Sequence, residues 1–203
     1  MLELVFEHQD FLLVNKPIGM TMHDRDNGII PSAKSRFGID KLWLVHRLDD
    51  ATSGCILLAK NKDAASELSQ FVDHREIQKY YFAISDKKPK KKQGKIIGDM
   101  QKVRDGNWKL TQGRTKPAIS QFFSFPLTAL AQNALEKELP KGLRLFMVKP
   151  LTGKTHQIRV ALKSLGSPIL GDSRYANSPA DRLYLHSYAL SFTYQSEYFQ
   201  LSA

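Results

Sequence analysis

The sequence predicts an α+β domain: a mixed, largely antiparallel sheet with flanking helices and long loops. Three observations lead there. Short apolar runs of strand length, such as Phe11-Leu12-Leu13-Val14 and Cys55-Ile56-Leu57-Leu58-Ala59, are interspersed with segments whose apolar residues recur at helical spacing. No regular strand–helix–strand rhythm runs along the chain, which disfavours a doubly wound parallel sheet. The chain has 203 residues, 42% hydrophobic and 25% charged, which suits one domain of ordinary size or two small ones, with a substantial core. A single domain is expected to span residues 1–203, with no internal repeat and no linker.

The elements follow in order. Residues 11–15 read as a short buried strand. Residues 20–41 scatter Asp, Asn, Gly, Pro and Ser among few apolar residues and read as a long loop. Residues 55–60 read as a buried strand. Ala64, Ala65, Leu68, Phe71 and Val72 place one apolar face on a helix over 62–74. Residues 79–85 read as a strand. Lys87 to Lys95, punctuated by Pro89 and Gly94, reads as a basic loop. Strands are expected at 118–125 and 143–149. Between them Leu127, Leu130, Ala131, Ala134, Leu135 and Leu139 recur at helical spacing. Ile158, Ala161, Leu162 and Leu165 mark a helix over 155–165, and residues 183–192 read as a late strand.

Charge and composition narrow the function. Lys and Arg number 30 against 20 Asp and Glu, a formal charge of +10, which favours a polyanionic partner through phosphate neutralisation. Cys55 is the single cysteine, so no intrachain disulfide forms, as suits a reducing compartment. The six histidines include no HxxxH pair and have no paired cysteines to join, so no metal is expected. Met1 to Glu7 carries acid and lacks a basic, then apolar, leader pattern. No apolar run approaches a membrane span. The reading is a cytoplasmic protein.

His46-Arg47-Leu48-Asp49-Asp50-Ala51-Thr52-Ser53-Gly54 is the most informative stretch, although by composition alone it reads equally as an Asp-rich turn. It stands between the apolar runs Leu42–Val45 and Cys55–Ala59, so it reads as a loop between buried strands that carries an arginine beside two carboxylates. Two other motif readings fail. Gly153-Lys154-Thr155 mimics the end of a phosphate-binding P-loop, but the glycine required five positions earlier is Val148. HRLD is not the kinase catalytic string, and the rest of that set is missing.

HRLD followed by TSG resembles the active-site motif of the RluA-type pseudouridine synthases. Further blocks follow in that family's order. They are the NKP turn at Asn15-Lys16-Pro17, the K-x-Y-x-A segment at Lys79 to Ala83, and Gly153-Lys154-Thr155-His156-Gln157-Ile158-Arg159. The closing segments are Leu165 to Asp172 and Leu183 to Ser187. The resemblance covers residues 11–192, and Asn15 lies too near the start for the small S4-type RNA-binding domain that larger relatives carry. A noncatalytic RNA-binding module of the same fold is the competing class, against which intact Asp49, Tyr81 and Arg159 argue.

The resemblance implies conversion of a uridine in structured tRNA or rRNA to pseudouridine. Atoms are rearranged and none exchanged, so no cofactor is required. It implies Asp49 as the catalytic carboxylate, with attack on the sugar, attack on the base and assistance to glycal formation all chemically open. It implies Tyr81 as the aromatic against the flipped uracil, with Tyr80 on the opposite face of its strand. Arg159 would grip and ionise Asp49. Arg47 would fill the space left by the flipped base. His46, Thr52, Lys154, His156 and Leu185 complete the expected RNA contacts. Asp50 and Lys154 depart from the family's commoner residues and bear on substrate choice. The expected partner is RNA, acted on by a monomer with no membrane and no obligate protein partner.

Overall fold

The fold comes from a computed structural model that describes residues 1–23, 28–128 and 139–203. Its first strands are β1 (Glu3–Glu7), β2 (Phe11–Lys16), β3 (Trp43–Leu44), β4 (Ser53–Ala59), β5 (Gln78–Ser85) and β6 (Gln93–Lys102). Then come β7 (Trp108–Leu110), β8 (Pro117–Pro126), β9 (Arg144–Pro150), β10 (Leu185–Tyr194) and β11 (Glu197–Ser202). The helices among the described residues are α1 (Ile29–Phe37), α2 (Lys62–Asp73) and α3 (Gln157–Ser164). The class is α+β with largely antiparallel pairing, as the sequence predicts. The chain divides into two compact units, residues 1–79 with 186–203, and residues 80–185.

In the first unit β4 is central, and all seven of its residues are buried. That explains its continuous apolar run, since both faces are covered. β4 pairs antiparallel with β2 from Lys16 opposite Gly54 to Phe11 opposite Ala59. β10 joins its start in parallel, with His186 opposite Ser53 and Ser187 opposite Gly54. Gly54 has φ 110°, and a Cβ there would sit against the Ser187 backbone, 2.7 Å from its nitrogen and carbonyl carbon. Only glycine fits this crossing of strands. Phe11, Leu13, Leu57, Leu68, Phe192 and Phe199 form the core, with Phe11 and Phe199 edge to face at 5.4 Å. The helix expected over 62–74 is α2, capped by Asn61, whose side chain accepts from the Ala64 N–H at 2.8 Å.

The second unit orders its strands β5-β9-β8-β6-β7, each pair antiparallel. Phe122, Phe146 and Val148 pack inside it. The helix expected over 155–165 is α3, and its first six residues are buried.

Two expectations are corrected. The stretch 20–41 is not all loop, because it contains α1. Ile29 and Ala33, one turn apart, are its only buried residues, so its periodic signal is weak. Gly28 in extended conformation and Gly38 at φ 67° close its ends, and Pro31 stands in the first turn, where a backbone N–H has no helical acceptor. The basic loop ends at Lys92, because Gln93 to Lys95 already belong to β6, with Lys95 opposite Gln121. Residues 129–138 of the helix expected between β8 and β9 lie outside the described residues.

Candidate active site

The HRLD loop is shaped by its ends. β3 pairs with β4 at Trp43 opposite Ala59 and Leu44 opposite Leu58. The Val45 N–H then donates to the Leu57 carbonyl at 3.4 Å, while the Leu57 N–H donates to Nε2 of His46 at 3.2 Å. The imidazole therefore replaces a backbone carbonyl in the ladder, which lets the chain leave the sheet at Arg47. His46 is 5% exposed, and burial first, then the charge of Lys79, pushes its pKa well below 6.5. It is neutral, as an acceptor from a backbone N–H must be.

Beyond His46, Arg47 is exposed, Leu48 buried and Asp49 partly buried. The Thr52 N–H donates to the Asp49 carbonyl at 2.9 Å, which closes a tight turn over Asp49-Asp50-Ala51-Thr52. Asp49 thus opens a turn anchored before it by Leu48 and after it by buried Thr52, Ser53 and β4.

A buried lysine ties this turn to the NKP segment. Lys16 is 0% exposed, and its ammonium donates to the carbonyls of Pro17, Met20 and Asp50, each at 3.0 Å. The Gly19 N–H donates to the same Asp50 carbonyl at 2.8 Å. Desolvation lowers the Lys16 pKa from 10.5 to about 8, against the pull of Asp50 and Asp49. Burial alone brings Lys79 to about 8 as well.

In the second unit Tyr81 lies on the more buried face of β5 with Ala83 and Ser85. Tyr80 lies on the other face, with the Lys149 ammonium 5.3 Å from its ring centre. Gln157 organises the loop before α3. Its Oε1 accepts from the Thr152 hydroxyl at 2.7 Å and the Lys154 N–H at 3.0 Å. Its Nε2 donates to the Ile119 carbonyl and the Ser120 hydroxyl, both at 3.0 Å. His156 caps α3 with φ 55°, and its Nδ1 lies 2.8 Å from the Tyr175 hydroxyl. Arg159 is buried. Its Nε and Nη2 donate to the two Asp172 oxygens at 2.8 Å each, a bidentate pair, and its guanidinium lies 5.1 Å from the Tyr175 ring centre.

The expected site residues therefore fall into two groups. His46, Arg47, Asp49 and Thr52 share one loop of the first unit. Tyr81, Lys154, His156, Arg159 and Leu185 belong to the second. Thr52 and Leu185 are 2% and 4% exposed, so with His46 they serve as interior supports, while Arg47 and Lys154 face solvent. Three residues that brace these loops received no role from the sequence. Lys16 and Asp172 stood inside quoted motifs, and only their burial and partners reveal what they hold. Tyr175 lay in no motif and carried no signal.

The family described as RNA pseudouridylate synthase matches residues 10–164 of this chain. A Haemophilus influenzae protein, an uncharacterized RNA pseudouridine synthase, is 44% identical over 99% of this chain and 86% of its own. The dual-specificity RNA pseudouridine synthase RluA of Vibrio parahaemolyticus is 33% identical over 94% of this chain and 77% of its own. Other curated relatives are longer, and the chain spans 56–57% of their length. Among solved structures, human RNA pseudouridylate synthase domain containing 1 superposes with a TM-score of 0.82 at 25% identity, covering 100% of this chain and 83% of that one.

Proposed function

The chain belongs to the RNA pseudouridylate synthase family, and from that premise we propose that it isomerises a uridine of structured tRNA or rRNA with Asp49 as the catalytic carboxylate. The observation that carries the reading is the seat of Asp49. It opens a tight turn whose backbone is pinned by the buried Lys16 ammonium and by Gly19, while its own side chain is only partly buried. A rigid backbone under an accessible carboxylate is what nucleophilic or basic catalysis needs.

In the reaction the N1–C1′ bond breaks, the uracil turns, and C5 bonds to C1′. N1 gains a proton and the hydrogen on C5 leaves to solvent, so the sum is an isomerisation. Asp49 acts on the sugar or the base. Tyr81 offers the ring face against which an unstacked uracil rests. Arg159, aligned by Asp172, is the cation assigned to the reaction. Arg47, exposed on the same loop as Asp49, occupies the space the flipped base leaves. We place the protein in the cytoplasm as a monomer. No helix among the described residues is long and apolar enough to cross a membrane.

The test is release of tritium from RNA labelled at C5 of uridine, followed by site-resolved pseudouridine mapping of total RNA with and without the protein. Asp49→Asn should abolish release while leaving RNA affinity and melting temperature near those of the parent. Normal release by that variant sinks the assignment.

A further inference from the structure

A groove contained wholly in the second unit includes only one residue given a role above, Lys154. It encloses about 470 Å³, enough for a nucleotide. Trp108, Met100, Lys116, Lys154, Thr115 and Thr155 line it, so one aromatic residue and two lysines share its wall. Trp108 is partly buried, whereas Lys116 and Lys154 are exposed. Asp99 also lines the groove, but its carboxylate accepts from the backbone N–H groups of Thr115 at 3.1 Å and Lys116 at 2.9 Å, so it is committed to closing the turn before β8. Gly153 leaves its side of the rim open, since a Cβ there would meet nothing within 4 Å.

The surroundings have the same character. From residue 102 to 116 the chain carries Lys102, Arg104, Lys109, Arg114 and Lys116, five cations against the single acid Asp105. Lys102 stands directly opposite Trp108 in the β6–β7 pair. A lining that holds one aromatic residue and two lysines, within a stretch rich in cations, matches an unstacked base joined to phosphates. An acidic peptide would satisfy the ammonium groups and leave the indole without a flat partner.

The groove is also built into the support of Arg159. The Trp108 backbone N–H donates to the Tyr175 hydroxyl at 3.0 Å, and that hydroxyl lies 2.8 Å from Nδ1 of His156. The other face of the arrangement is the Arg159 guanidinium, 5.1 Å from the Tyr175 ring centre. Lys154 and Thr155 precede the His156 cap directly. One tyrosine thus braces both a groove wall and the start of α3.

We propose that this groove is a second RNA subsite, which takes a single-stranded nucleotide other than the uridine being isomerised, its base stacked on Trp108 and its phosphates on Lys116 and Lys154. The inference rests on the reading of the protein as an RNA-modifying enzyme.

The experiment uses the full chain with Trp43→Phe, which leaves Trp108 as the only one of two tryptophans, and hexauridylate as probe. Binding should quench the indole emission. Lys116→Gln with Lys154→Gln should move the midpoint to higher hexauridylate and flatten the slope of log K against log salt by about 1.4, roughly 0.7 per single-strand phosphate contact. With Trp43 retained, Trp108→Ala should weaken hexauridylate binding about fivefold to a hundredfold, and Trp108→Phe should recover most of that loss. Both lysines are exposed, so their variants fold whatever Trp108→Ala does to the hairpin. Absence of quenching, or an unchanged salt slope in the lysine variants, overturns the subsite. Tritium release by the parent protein is measured beside it. Release without quenching removes the groove alone, and quenching without release removes the catalytic reading instead.

Discussion

Asp172 offers the sharpest test of how Arg159 is held. Its side chain is 0% exposed, and both oxygens accept from Arg159 at 2.8 Å. Oδ1 also accepts from the backbone N–H groups of Arg174 at 3.0 Å and Tyr175 at 3.2 Å. Asp172→Asn is nearly isosteric and lets one oxygen keep the backbone bonds, but it turns an amide NH2 toward the guanidinium, donor against donor. Removing one partner of a buried ion pair costs about 3–5 kcal/mol. At about 2–4 °C per kcal/mol for a chain of this size, Tm should fall by about 6–20 °C. A guanidinium displaced by about 1 Å should cost about a hundredfold in turnover. The assays are thermal melts and tritium release at saturating RNA, for Asp172→Asn, Arg159→Met and the double variant. If the pair acts as a unit, the double variant should lose little more than the worse single. Stability losses that add to within about 0.5 kcal/mol, with turnover of Asp172→Asn within about twofold of the parent, would refute the reasoning.

Three further outcomes are expected. Lys16 has a folded pKa of about 8 against an ordinary 10.5, so between those values the unfolded chain binds more protons. Its contribution to stability is therefore full above pH 10.5 and lost as pH falls to about 8. Urea melts of the parent and Lys16→Met at pH 7, 9 and 10.5 should show the parent gaining on the variant with pH, and a constant difference excludes the assigned shift. Loss of the Lys16 bonds to Pro17, Met20 and Asp50 should also lower turnover of Lys16→Met more than its RNA affinity, read as kcat against KM. Gly54→Ala should cost about 2–5 kcal/mol, from a positive φ and a clash with the Ser187 backbone, and a melt within about 1 °C of the parent would contradict it. Arg159→Lys should restore only part of the turnover lost in Arg159→Ala, since an ammonium lacks the planar fork, and full restoration would reduce Arg159 to a point charge.

What the sequence determined by itself is local chemistry. β2, β4, β8, β9, α2 and α3 were legible because each concentrates its apolar residues at one period or buries both faces. β1, β6, β7 and β11 were not, because much of each lies at the surface and is held by pairing with distant partners. α1 escaped because two buried residues and two glycine ends define it. The motif order pointed to the family because a motif stores residue types at fixed spacing. Tertiary structure alone decided the supports. Lys16 reaches Asp50 across 34 residues, Arg159 reaches Asp172 across 13, and Trp108 reaches Tyr175 across 67. A buried charge is tolerated only when fixed acceptors surround it, and those acceptors exist only once the chain has folded. The sequence can therefore show that Lys16 and Asp172 are present, while burial and distance show what they do.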